Sequence, residues 1–303
     1  MRIITANVNG IRAAEKKGFF DWMKKQREDV ICIQETKAQE HQLDDSIFYP
    51  KGYHCYYFDA EKKGYSGVAI YCKTKPNKVT KGLGWPHADT EGRWIQAKFD
   101  GITVASLYLP SGSSSPERHQ AKLKFMDQLT EDMKVMKRKR REFVICGNCN
   151  VVHKEIDSTN WKSNQKNSGC TPEERAWLDD LFDKVGFVDA FRVVNNKPEQ
   201  YTWWSNRGNA RANNVGWRID YQIITPGLKE KGKKAAVPGY SPPYRQVLID
   251  RPQSKNLQLQ GFAPALSGWS GKARMPSKGP PIQIEIQKAE PQPEPGIPLR
   301  AVR

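Results

Sequence analysis

Several apolar runs of this chain end in polar groups, and their types suit one chemistry. Asn7 and Asn9 follow RIITA, Glu35 follows VICIQ, and Tyr108 and Ser111 lie in SLYLPSG. Asn148 and Asn150 follow FVICG, and Asp220 stands in GWRIDYQ. A carboxylate among amides and hydroxyls offers hard oxygen donors, which suit Mg²⁺ better than zinc. Taken singly, each residue fits a cap or a loop. Their recurrence at strand ends favours one site, because ligands of α/β sheets bind beyond one end of the strands. The stretch REFVICGNCNVV, residues 141–152, adds a question: two neutral amides stand where α/β enzymes often place charged groups.

The elements that must position these residues are short. Buried-strand patterns fall at 2–6, 29–34, 67–72, 94–99, 103–109, 143–146, 201–204 and 219–225. Helical patterns occupy GFFDWMKKQRED, RHQAKLKFMDQLTEDMKVMKRKRR and TPEERAWLDDLFDKVG. The last begins with Thr171 as N-cap, Pro172 at the first helical position and acids in the first turn, and Gly186 ends it. Strands that are sometimes adjacent and sometimes separated by helices predict a layered α/β sandwich with mixed sheets. From about Val237 the chain turns rich in Pro, Gln, Ser and Gly, as in MPSKGPP and AEPQPEPGIPLR. Residues 1–236 therefore read as the domain, and 237–303 as an irregular or disordered tail.

Charge narrows the partners. The formal net charge is +16, and with nine basic and four acidic residues from Val237 onward, +11 remains on residues 1–236. Such an excess favours a polyanion, nucleic acid before others, although solubility alone would also use it. No run approaches the ~18 apolar residues of a membrane span, and the start of the chain lacks the regions of a signal peptide. A soluble, cytoplasmic protein without a membrane partner is expected. The six cysteines are scattered, and Cys146 and Cys149 form a C-x-x-C without a second pair and without opening a helix. They read as reduced core thiols. KRKRR, Lys137 to Arg141, ends a helix and reads as a solvated basic face. His153 reads as structural, and Trp203 and Trp217 suit either a core or an aromatic pocket.

ITANVNGIR, VICIQETKAQ, GYSGVAIY, SLYLPSGSS, NWKSNQKNSG, TPEERAWLD, YTWWSNRG and VGWRIDYQ occur in order across residues 1–236. Together they resemble the exonuclease III family of AP endonucleases and exodeoxyribonucleases, within the endonuclease/exonuclease/phosphatase superfamily. The resemblance implies a four-layer α/β sandwich, two mixed β-sheets flanked by helices. It also implies a DNA-repair phosphodiesterase that depends on Mg²⁺ or Mn²⁺, works as a monomer, and acts on double-stranded DNA at abasic sites or 3′ ends. By position, Asn7 and Glu35 would hold the metal, and Tyr108 would contact the scissile phosphate or the attacking water. Asn148 and Asn150 would stand at the catalytic corner, and Asp220 would support it. Asn164 and Asn167 would touch the DNA backbone, and Trp203, Trp217 and Ile219 would receive a base-less sugar.

Two departures qualify that picture. Where the family has Gly-Asp-Trp-Asn, this chain has Gly147-Asn148-Cys149-Asn150. An amide has no useful proton affinity at neutral pH, so it cannot replace the aspartate as a base. General-base assistance is worth ~10² to 10⁴ in rate, so impaired activity is expected. The family's closing Ser-Asp-His-Ala-Pro is also missing. The nearest counterpart is IDRP at 249–252, with Arg251 in place of histidine, and the last histidine of the chain is His153. The final strand of the sandwich is thus unaccounted for. The catabolite repression control branch of the same family keeps the fold as a translational regulator without nuclease function. It implies the alternative of a partner that is RNA or an RNA-chaperone protein.

Overall fold

The computed structural model describes residues 1–229 and one further strand, 282–285. Two mixed sheets carry the architecture. The first contains β1 (Arg2–Asn7), β2 (Val30–Gln34), β3 (His54–Phe58) and β4 (Val68–Cys72). The second contains β5 (Lys78–Lys81), β6 (Trp94–Lys98), β7 (Ile102–Tyr108), β8 (Glu142–Asn148) and the short β9 (Val188–Asp189). A two-residue pair, β10 (Trp203–Trp204) and β11 (Gly216–Trp217), precedes β12 (Asp220–Ile224), which joins the second sheet, and β13 (Ile282–Glu285) joins the first. The strand orders are β13-β1-β2-β4-β3 and β5-β6-β7-β8-β12-β9. Only β1 with β2 and β7 with β8 run parallel; the other pairs are antiparallel.

Four layers follow from where the apolar side chains go. Ile3, Cys32, Ile70 and Cys72 of the first sheet meet Ile95, Val104, Val144 and Cys146 of the second in one core. Outside the first sheet, α1 (Ile11–Glu15) and α2 (Phe19–Lys24) bury Ile11, Phe19, Phe20 and Met23 against Ile4, Ile31 and Ile33. The short α3 (Pro86–Asp89) caps the edge near Trp85. Outside the second sheet, α4 (Pro116–Arg138) presents Phe125, Met126, Leu129, Met133 and Met136, a stripe at helical spacing, to Leu107, Ile145 and Ile223. α5 (Trp161–Asn164) lies in the loop after β8, and α7 (Ala190–Val194) follows β9. α6 (Pro172–Asp179) starts with the Thr171–Glu174 capping box, runs on as a π-helical turn, Asp180–Val185, and stops at Gly186 with φ 83°. The sandwich is the predicted one.

The central strands β2, β7 and β8 are buried on both faces, which is why they read as unbroken apolar runs. β3 and β5 lie at sheet edges with half-exposed residues, so the same pattern search passes over them. The closing strand is the clearest difference from expectation. Ile282–Glu285, from within the proline-rich region, pairs with β1, setting Ile282 beside Thr5 and Glu285 beside Arg2. The rest of 237–303, with Asp250 and Arg251, lies outside the described residues. All six cysteines are free, and five are buried. Lys137 and Arg141 of the basic run donate to neighbouring carbonyls, Val185 O for the first and Phe99 O and Ile102 O for the second.

A polar cluster around Gln34 crosses the apolar interface between the sheets. Gln34, fully buried at the end of β2, donates through Nε2 to Ser106 Oγ of β7 at 2.9 Å. Ser106 Oγ donates back to Ile33 O at 2.9 Å, and Thr5 Oγ1 donates to Gln34 Oε1 at 3.1 Å. Replacing Gln34 with leucine leaves these groups short of partners. Gln34→Leu is expected to lower the unfolding free energy by ~1–3 kcal/mol, measured by chemical denaturation. An unchanged midpoint would mean that apolar packing alone sets the sheet spacing.

Candidate functional site

Register brings the polar strand ends together. In the second sheet Tyr108, the last residue of β7, lies beside Asn148, the last of β8. Asn148 in turn lies beside Asp220, the first of β12. The three form a row across adjacent strands. In the first sheet Asn7 ends β1 beside Gln34, and Glu35 follows. The Gln34–Ser106 contact ties the two groups, since Ser106 is two residues from Tyr108 on one face of β7.

Glu35 is buried and held from several sides. Asn7 Nδ2 donates to its Oε1 at 2.8 Å, and Lys37 Nζ lies 2.9 Å from its Oε2. The same ammonium donates to Asn9 Oδ1 at 2.6 Å. Asn9, Glu35 and Lys37 have φ of 50°, 57° and 48°, the left-handed region that non-glycine residues rarely enter. Hydrogen bonds from Gly10 N to Glu35 O, 2.7 Å, and from Lys37 N to Ser66 O, 2.9 Å, hold that backbone. Gly67, with φ 85°, packs against it so closely that a Cβ would run into Thr36 Oγ1. Burial lowers the pKa of Lys37.

The second-sheet row contains unsatisfied polar atoms. Asn148 is fully buried; its Oδ1 accepts from Asn150 N at 2.8 Å, and its Nδ2 has no partner among the described residues. Asp220 Oδ1 is likewise buried without a partner among the described residues. Burial raises the Asp220 carboxyl to about 7, only partly opposed by the Thr202 hydroxyl and Arg218. Arg218 is committed elsewhere: its Nε donates to Asp157 Oδ1 at 2.7 Å and its Nη2 to Asp189 Oδ2 at 2.7 Å. Burial pushes the Tyr108 phenol up to about 12, against the pull of the Arg93 guanidinium over its ring and a hydrogen bond with Asn150. Tyr108 is therefore a neutral donor at physiological pH. Asn150 Nδ2 donates to Leu109 O at 2.8 Å, and its own carbonyl accepts from Lys122 Nζ at 2.8 Å.

Behind the row, Lys122 and Glu174 form an ion pair with both side chains fully buried. Glu174 also accepts from Gly169 N and from Thr171 N, at 2.6 and 3.1 Å. This pair fastens α4, the cap of α6 and the Asn150 loop to one another. Trp203 and Trp217 lie opposite each other in β10 and β11 with ring centroids 5.7 Å apart, and they pack with Ile219, Val152 and Cys170. Both rings are half-buried. Asn164 and Asn167 are joined by a 2.9 Å side-chain bond in the loop that leads to Gly169, where a Cβ would meet Trp217 and Asn150 O at 2.9 Å. His153 binds Asp179 at 2.8 Å and packs at a tilt against Phe182, with ring centroids 5.3 Å apart. Sequence reasoning missed Lys37, Lys122, Glu174 and Arg218. Lys122 left a trace as a lysine on the apolar stripe of α4, and Glu174 as an acid in the first turn of α6.

The fold and the site define a class. The chain belongs to the endonuclease/exonuclease/phosphatase family, whose model matches residues 4–239. An exodeoxyribonuclease of Bacillus subtilis (strain 168) is 39% identical over 239 residues, covering 78% of this chain and 93% of that protein. The DNA repair nuclease APEX1 of Danio rerio is 41% identical over 236 residues, covering 75% of this chain and 74% of its own length. Among solved structures, an AP endonuclease from Archaeoglobus fulgidus superposes with a TM-score of 0.75 at 27% identity, covering 95% of this chain and all of that one. A 3′-5′ exonuclease from Neisseria meningitidis shares the fold, with a TM-score of 0.77 at 23% identity and the same coverage. Among the described residues no helix is long and apolar enough to cross a membrane.

Two buried carboxylates should move stability with pH in opposite directions. Asp157, held by Arg218 and Arg192, is lowered to about 2, so it stabilises the fold above the ordinary carboxylate range and loses that contribution as pH falls toward 2. Asp220 is raised to about 7, so between pH 4 and 7 the folded state keeps a proton that the unfolded chain has released. Its contribution therefore turns unfavourable as pH rises through that window. Asp220→Asn should be more stable than the parent at pH 8 and no more stable at pH 4, by denaturant unfolding at both. Equal differences at the two pH values would contradict the assigned direction.

Proposed function

We propose that this chain is a divalent-metal-dependent DNA phosphodiesterase of the repair type, acting at abasic sites or 3′ ends, with turnover held low by the amide at position 148. The row Tyr108–Asn148–Asp220, set beside Asn7 and Glu35 by the sheet-to-sheet contact, carries the reading. The donors fit Mg²⁺ or Mn²⁺ rather than a softer ion: a buried carboxylate and an amide.

Asn7 and Glu35 would hold the metal, which when bound acts as a Lewis acid on a phosphate oxygen. Tyr108, protonated at neutral pH, donates a hydrogen bond to the phosphate or to the attacking water. Asn148 can orient that water through its amide but cannot take its proton. Asn150 fixes the corner, and Asp220 supports it from the next strand. Asn164 and Asn167 contact the DNA backbone, and Trp203, Trp217 and Ile219 give an apolar wall for a sugar without its base. The excess of +11 on residues 1–236 suits a duplex partner.

The amide at position 148, which cannot take a proton, supports a second reading, in which the site binds without cutting. The chain would then be a regulator of the catabolite repression control type, acting through RNA or an RNA-chaperone protein. Cleavage of abasic duplex DNA with Mg²⁺ separates the two. Asn148→Asp should raise nicking by up to ~10² to 10⁴, and Glu35→Ala should remove it. A well-folded Asn148→Asp variant with no gain, in a protein that binds RNA, would favour the regulator.

A further inference from the structure

Glu35 meets a positive charge before any metal is considered. Lys37 Nζ lies 2.9 Å from Glu35 Oε2 and 2.6 Å from Asn9 Oδ1. Glu35 is 2% exposed, whereas the Lys37 side chain is 33% exposed. Asn9, Glu35 and Lys37 all hold left-handed backbone, which persists only where the surroundings enforce it and which clusters at functional sites. Two successive turns of the chain are thus bent to bring one ammonium to one carboxylate. A buried carboxylate needs a counter-charge. A long lysine stem open to solvent supplies one that can also leave.

We propose that Lys37 is the resident counter-ion of Glu35, which a divalent cation must displace, so that this lysine sets how tightly the site takes metal. The inference rests on the reading of Glu35 as the metal carboxylate. A hard cation bound to Oε2 would sit within a few ångströms of the ammonium, where like charges repel strongly in a partly buried setting. Asn9 Oδ1 gives the displaced ammonium a neutral acceptor already within reach. Without metal, Lys37 keeps Glu35 compensated and the strained loop in place. With metal, the same charge works against binding. A lysine that merely clamped the loop would differ in one respect: its removal would loosen the loop and weaken metal binding rather than strengthen it.

Mn²⁺ titration of the full chain by calorimetry and by electron paramagnetic resonance of the free ion tests this without reference to catalysis. Lys37→Met should bind Mn²⁺ about tenfold or more tightly than the parent, the size expected for removing a like charge at this range. Its melting temperature should be lower than the parent's without metal and should rise further on adding Mg²⁺. Lys37→Gln, which keeps a donor but no charge, serves if the methionine variant does not fold, with the same tightening expected. Unchanged or weaker Mn²⁺ binding in the lysine variant, while Glu35→Gln has lost binding, would overturn the inference and leave the metal reading intact. Mn²⁺ binding by Glu35→Gln equal to the parent's would overturn both.

Discussion

The hydrogen bond from Gln34 to Ser106 is the constraint on which the site depends. Aliphatic packing between two sheets is favourable but non-directional, so it fixes their separation better than their alignment. A buried amide is different. It must find partners at defined positions, and it is costly when it does not. Gln34 finds Ser106, Thr5 and, at 3.4 Å, Cys146 O, so three strands from both sheets meet at one side chain. Glu35 is the next residue along the chain, and Tyr108 is the next on the same face of β7. The alignment of the sheets and the alignment of the site are therefore one quantity.

Buried charge does a similar task one layer out. Lys122 with Glu174, and Arg218 with Asp157 and Asp189, lie in the fold with almost no exposure. Pairs of this kind seldom add net stability over apolar residues of the same shape, but removing one partner is costly. Their positions suit fixing loops. The first pair fastens the carbonyl of Asn150 and the amide of Gly169; the second ties the start of β12 to the loop after β8 and to β9. Beside the second group, burial still raises the Asp220 carboxyl, with Thr202 and the Arg218 charge opposing it only in part.

Much of this was legible in the sequence, for a physical reason. Central strands buried on both faces, such as VICIQ and FVICG, advertise themselves as apolar runs, and the polar residue that ends each run marks the rim where a site can form. The Thr171 cap, followed by Pro172 and acids in the first turn, is equally local. What could not be read was non-local. Edge strands such as KVTK carry no continuous apolar signal, and the isoleucine alternation IQIE at 282–285 is short and set among prolines, so its pairing with β1 is not read from it. Lys37 reads as one more surface lysine until the fold bends the chain to set it against Glu35. Arg218, just before the strand-like run 219–225, shows its role only beside Asp157 and Asp189.

In the proposed function, the strand ends of both sheets form a single cation and phosphate site. Paramagnetic broadening by Mn²⁺ in the nitrogen-15 spectrum of the labelled protein tests it most directly, because broadening reports distance to the ion and needs no catalysis. At substoichiometric Mn²⁺ the amides of Asn7 and Glu35 from the first sheet should lose intensity together with those of Tyr108, Asn150 and Asp220 from the second. Broadening confined to one sheet, or centred on acidic residues elsewhere on the surface, would contradict it.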